Sequence, residues 1–328
     1  MSDRDHSKSQ PASPFLVERL MREARHRLNG AEFASEEEFR DSLPDFIQEG
    51  LPAGRLETLR EDPEELAQEL AFEAYEAEDE EAALALVDKA LLLDPDCVDA
   101  LAIRAFITSE DAGELIVALE HAATRGENRL GEEFFAEFMG DFWPLVEARP
   151  YMRTIKHLAE VLWTVGRRFD AVAHYENLLD LDPEDHMGNA TLLLGYYLGM
   201  GEIQRSWDLL EDHDDEKKAV FSWAWVLLFL LTGDEDAARD ALDHALEGNP
   251  RVAPWLLGME EDPGDSGDEL PPFVEPGSED EARLCAGILG EAWEAAGPAQ
   301  WWLYNTLVEL GLIHPLNEEP DPEPPVAH

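Results

Sequence analysis

His121, His157, His174, His186, His213 and His244 are the side chains suited by type to bind a metal or move a proton near neutral pH. Their spacing supports neither use. The chain has no HExxH pair and no His/Cys grouping at zinc spacing. Carboxylate pairs such as Glu132-Glu133 and Asp214-Asp215 could work as acid and base, but a chain with 74 Asp and Glu residues produces such pairs by composition alone. It also lacks a glycine-rich phosphate loop, a GxSxG elbow and a nucleotide fingerprint. The expectation is a protein that is not an enzyme, with no cofactor and no metal.

One stretch departs from this background. Phe134 to Arg153 gathers Phe134, Phe135, Phe138, Phe142, Trp143 and Tyr151 beside Arg149 and Arg153. Cations are scarce here, so two arginines flanking Pro150-Tyr151 could clamp a carboxylate or stack on rings. The plainer account is that the aromatics fill space where an inserted segment packs, with the arginines paired to local acids. The candidate partner-binding residues are Trp143, Arg149, Tyr151, Arg153, Arg167 and Tyr196.

The elements that would position these residues repeat. Ala83, Val87 and Pro95 share their spacing with Ala171, Tyr175 and Pro183, and again with Ala238, Leu242 and Pro250. Upstream of the second set stand Ile155, Leu158, Ala159 and Leu162, and the first set has Leu70 and Ala71 at the equivalent places. This pattern is similar to the tetratricopeptide repeat, a helix pair of about 34 residues. A degenerate copy carries Leu115, Leu119 and Ala122. The distance from Leu115 to Ala171 exceeds one period by about 22 residues, which places an insertion at about 129–148. Ser206 marks a further copy, and Gly166, Gly201 and Gly233 supply turns before the second helices.

The expected fold is all-α: a tetratricopeptide-like solenoid of helical hairpins with one inserted helix and a C-terminal capping helix pair. Small residues at Ala71, Ala83, Ala90, Ala159 and Ala171 would let helices approach closely. The array spans 62–258. Before it lie a disordered tail at 1–13 and a helical extension at 14–61 that does not align to the repeat. In that extension Leu16, Leu20 and Met21 have helical spacing up to Asn29-Gly30. A second helix follows the capping box of Ser35 to Glu38 and runs through Ile47, interrupted by Pro44. An acidic Pro/Gly linker at 259–278 precedes the capping pair at 279–314, and 315–328 is a second disordered tail.

The net charge is −50, and only five of the 24 basic residues are lysines. Such acidity disfavours nucleic acid and anionic membranes. It suits a salt-adapted cytoplasm or a GC-rich genome, and a dedicated cationic partner explains it equally well; nucleic-acid mimicry is a third reading. The best apolar run, Ala219 to Leu231, contains Ser222 and is too short to cross a bilayer. No signal peptide opens the chain, so a cytoplasmic location is expected, with Cys97 and Cys285 reduced and buried.

From Leu130 to Leu198 the chain resembles a bacterial tetratricopeptide group related to the suppression-of-tumorigenicity-seven family. Gly140-Asp141-Phe142-Trp143 matches a G-x-F-W motif and Arg149 to Arg153 an R-P-Y-M-R box; Asn249 to Gly258 also matches, and coverage runs from Leu70 to Trp302. The turn at Asp185-His186-Met187-Gly188 keeps only the family's Asp and Gly. The resemblance implies a helical repeat without an assigned reaction. The membrane association of eukaryotic members is not implied, because this chain has no span. Together these features point to a scaffold binding a protein or peptide partner, a basic one if the acidity serves that partner, on the concave face formed by the first helices. The alternative is an enzyme or small-ligand-binding protein using the aromatic and arginine pocket around 134–153.

Overall fold

The computed structural model describes residues 13–29, 62–213, 218–260 and 274–315. Among them the chain forms fourteen helices and no strand. The tail up to residue 12, the segment from Ser35 to Ile47, most of the acidic Pro/Gly stretch and the tail beyond 315 lie outside the described residues. The all-α hairpin fold expected from the repeat is the one observed. It divides into two compact units, Met1–His186 and Met187–His328.

Unit 1 contains a solitary helix, α1 (Leu16–Asn29), and three hairpins. These are α2 (Pro63–Tyr75) with α3 (Glu80–Leu93), α4 (Val98–Thr108) with α5 (Ala112–Phe138), and α6 (Arg149–Thr164) with α7 (Arg168–Leu181). Aspartates start many of the helices. Asp62, Asp79 and Asp111 each accept a hydrogen bond from the backbone N–H three residues on, which satisfies a donor that the first turn leaves open. The repeated small residues then do what their size allows. Ala71, Ala83, Ala90, Ala159 and Ala171 are all buried, with Val87 and Tyr175 between them. The insertion lengthens α5, which breaks at Gly131 (φ 79°) before its aromatic end.

Unit 2 holds α8 (Asn189–Met200) with α9 (Ile203–Asp212), α10 (Ala219–Thr232) with α11 (Glu235–Gly248), the short α12 (Val252–Leu256), and the pair α13 (Glu279–Ala295) and α14 (Pro298–Glu309). Gly201 and Gly233 end α8 and α10 with positive φ, and the paired backbone bonds that follow each of them close the first helix and aim the second. The C-terminal pair covers the first helices: α13 packs on α8, α10 and α12. Its approach is close, since a methyl added at Gly195 would lie 2.5 Å from the carbonyl oxygen of Ile288. Trp223, Cys285, Leu289 and Trp293 are fully buried in the resulting core.

Both cysteines are free thiols and buried. Burial pushes the Cys97 thiol up to about 12 and that of Cys285 well above its ordinary value, so neither is a thiolate near neutral pH. Among the described residues no helix is long and apolar enough to cross a membrane.

Candidate functional site

Helical periodicity puts Glu65, Glu69, Phe72 and Glu76 on one face of α2, at i, i+4, i+7 and i+11. The same periodicity puts Phe15, Glu18, Arg19 and Arg22 on one face at the start of the chain. These two faces meet. Phe15 stacks on Phe72 at 4.7 Å and on Tyr75 at 5.1 Å. Arg19 Nε lies 2.8 Å from Glu69 and its Nη1 3.0 Å from Glu76, while Arg22 Nη1 lies 3.1 Å from Glu65. As chain position rises along α1 its partners fall along α2, so the helices run antiparallel. Arg25 adds an ion pair with Glu147 at 2.7 Å, and Arg22 Nη2 donates to the Val146 carbonyl at 2.8 Å.

Beneath α1 the first helices α2, α4 and α6 share a buried polar cluster. Arg153 on α6 forms a bidentate pair with Asp99 on α4, at 3.1 and 2.5 Å, and reaches Glu18 of α1 at 2.7 Å. Gln68 donates to Asp99 at 2.6 Å and the Tyr75 hydroxyl donates at 3.4 Å. Asp99 has no solvent exposure. Burial alone would push its carboxyl up, but the Arg153 guanidinium and the Gln68 amide hold it below the usual aspartate range. Burial alone would likewise push the Arg153 guanidinium down, and its two carboxylate partners raise it above the ordinary value instead. The guanidinium carbons of Arg19, Arg22 and Arg153 all lie within 6.0 Å of the Phe72 ring centre, so one ring is shared by three cations.

The expected partner-binding residues do not converge. Arg153 is committed to Asp99 and Glu18. Arg149 is buried, stacks over Trp143 at 4.4 Å, donates from Nε to the Trp143 carbonyl at 2.9 Å, and offers Nη2 to the Met21 sulfur at 3.4 Å. Desolvation pushes its guanidinium down. Trp143 has its other contact with His186, stacked at 5.5 Å. Tyr151 is buried, and burial first, then Glu127, pushes its hydroxyl up to about 12. Arg167 is half-exposed and paired with Asp170 at 2.7 Å. Tyr196 is half-buried on α8, in unit 2. Trp143, Arg149, Tyr151 and Arg153 therefore share one region of unit 1, Arg167 lies at the other end of α6, and Tyr196 belongs to unit 2.

The aromatic insertion packs on itself. Phe134 and Phe135 both contact the fully buried Phe142, and Phe135 meets Tyr151 edge-on at 5.5 Å. A cavity of about 410 Å³ borders it, but its cations are Arg22, Arg25 and Arg129, each already paired with a carboxylate. Among the described residues no group of His, Cys, Asp and Glu could hold a metal ion.

Two features escape a reading of the sequence. The first is α1 as an occupant of the first-helix face; its signal is the concentration of Arg19, Arg22 and Arg25 in one helix of an otherwise acidic chain. The second is an open groove of about 920 Å³ in unit 2, floored by Phe221, Trp225 and Phe229 of α10 and walled by Trp207 of α9 and Ala241 of α11. Trp207 meets Trp225 edge-on at 5.1 Å. An apolar residue on every face of α10 was that groove's only trace. No protein-family model matches the chain, and a search of curated proteins finds no relative.

Proposed function

We propose that this protein is a non-catalytic scaffold that holds a helical peptide or protein segment on the face shared by the first helices α2, α4 and α6. The observation that carries this reading is α1 itself: that face already grips a helix through aromatic stacking, three pairs from Arg19 and Arg22 to glutamates of α2 and its C-cap, and the pair of Arg153 with Glu18. Stacked hairpins build extended surfaces of this kind, and an amphipathic helix in a groove is a common way to use them. In unit 2 the corresponding face is covered by α13, so the reading is confined to unit 1. The tetratricopeptide resemblance agrees with it. A small-ligand or enzymatic site in the aromatic insertion has less support, because those rings fill the space they enclose.

The face continues past α1 into an open depression of about 550 Å³ bordered by Tyr75, Ile103, Phe106, His157 and Glu160. Phe106 is 45% exposed there and meets His157 edge-on at 5.2 Å. Capture from native lysate at matched salt tests the reading. Phe106→Ala with His157→Ala is expected to lose the partner that the unaltered chain retains, with the helical circular dichroism unchanged. Equal recovery by both chains would exclude this face as the binding surface.

The acidity carries its own expectation. Screening shortens from about 10 Å at 0.1 M salt to about 3 Å at 1 M, so repulsion among carboxylates weakens and the melting temperature rises with KCl. Retention of a cationic partner falls over the same range. A melting temperature flat from 0.1 to 2 M KCl would refute salt adaptation and leave the cationic partner as the reason for the charge.

A further inference from the structure

We propose that α1 is an intramolecular stand-in for the external ligand, and that the groove takes an arginine-bearing amphipathic helix for which α1 must leave. The ligand class is read from the occupant. On one helical face it presents an aromatic ring, a carboxylate and two arginines, in the places of Phe15, Glu18, Arg19 and Arg22. This rests on the proposed function and adds the partner's chemistry and the means of control.

The two covered faces differ in what covers them. In unit 2, α13 contributes Ala282, Cys285, Leu289 and Trp293 to an apolar core, with helix backbones close enough to exclude a methyl at Gly195. Removing it would expose that core. In unit 1, α1 buries the charged Glu18, Arg19, Arg22 and Glu23 but, of its apolar side chains, only Ala24, while its Leu16 and Val17 are 37% and 64% exposed. When α1 leaves, Glu65, Glu69 and Glu76 gain water, and Arg153 keeps Asp99. The vacated groove therefore remains a folded, acidic surface with an aromatic floor.

The fit of α1 is also imperfect. Arg22 Nε is buried and makes no hydrogen bond, since Glu18 lies 3.5 Å away. Arg149 Nη2 meets a thioether, a weak acceptor, where a carboxylate or carbonyl would serve better. The Arg22 mismatch leaves with α1, whereas Arg149 stays in the groove, so an incoming helix that places a carboxylate or carbonyl at its Nη2 gains an interaction α1 does not make, which is the differential affinity a displacement requires.

The experiment uses the full chain and a fluorescent peptide copy of residues 13–29, added in trans. In the Arg19→Ala/Arg22→Ala chain the groove is vacated, and the peptide is expected to bind about tenfold or more tightly than to the unaltered chain. That factor is what a docked fraction of about 90% or more takes from apparent affinity. A peptide carrying the same two alanines should not bind, and Glu65→Gln/Glu69→Gln/Glu76→Gln in the vacated chain should abolish binding. Equal affinity for the unaltered and vacated chains, with circular dichroism unchanged, would overturn the stand-in.

Hydrogen exchange on the unaltered chain decides the matter if the double variant fails to fold. Amides of α1 should exchange far faster than those of α2 and α6, and faster still in 1 M KCl. Exchange of α1 at the rate of α2 would make it a fixed part of the core. Should partner capture still depend on Phe106 while α1 proves fixed, the stand-in falls and the scaffold reading stands; capture independent of Phe106 removes the scaffold reading itself.

Discussion

Arg153→Met is expected to destabilise unit 1 by about 3–5 kcal/mol, the usual cost of removing one member of a buried ion pair. Two carboxylates depend on this side chain. Asp99 is fully buried and would be left as an uncompensated charge, while Glu18, only 5% exposed, would keep only Arg22 at 3.5 Å. The methionine fills similar space, so packing loss is small and the cost is electrostatic. Asp99→Asn should cost less, because Arg153 then keeps Glu18 and the amide still accepts from Gln68.

The same cluster gives a pH dependence of known sign. The folded carboxyl of Asp99 titrates below its ordinary value, so its contribution to stability is fully present above about pH 4 and is lost as pH falls through the depressed value. The urea midpoint should therefore drop between pH 5 and pH 2.5 more steeply for the unaltered chain than for Asp99→Asn. Parallel curves would remove Asp99 from the account of stability, and an Arg153→Met midpoint within experimental error of the parent would remove the whole cluster.

Why the hairpins could be read from sequence while this cluster could not is a matter of range. Ala83 to Pro95, Ala171 to Pro183 and Ala238 to Pro250 encode contacts between neighbours within a turn or two, and each small residue lies where its size is needed. Capping aspartates and turn glycines are equally local. Arg153, by contrast, pairs with residues 54 and 135 positions away, and no spacing rule connects them. The aromatic stretch and the scarcity of cations single out Arg149 and Arg153, but whether a scarce cation faces solvent or an interior acid depends on which helix covers it. Here that helix is α1, which lies outside the repeat. Arg167, at the far end of α6 from Arg149, pairs with Asp170, and Tyr196 belongs to unit 2.

In unit 2 the largest effects belong to two indoles with opposite needs. Trp223 and Trp293 are both fully buried, with ring centres 6.5 Å apart. Trp223 Nε1 donates to the Asn249 carbonyl at 3.3 Å, whereas Trp293 Nε1 finds no acceptor among the described residues. Trp223→Ala removes the largest side chain between α10 and the segment after α11 and leaves a cavity that close packing against α13 cannot collapse. Its expected cost is about 3–5 kcal/mol. Trp293→Phe is expected to be far milder. It loses part of one ring, but it also removes a buried unsatisfied N–H, a group whose burial costs about 1–3 kcal/mol. The two terms oppose each other and should nearly cancel. Hydrogen exchange at α10 and α13 separates the variants: protection should collapse in Trp223→Ala and hold in Trp293→Phe. Equal losses of protection would overturn the cavity account, since Trp293→Phe deletes far less volume than Trp223→Ala and also relieves an unsatisfied N–H.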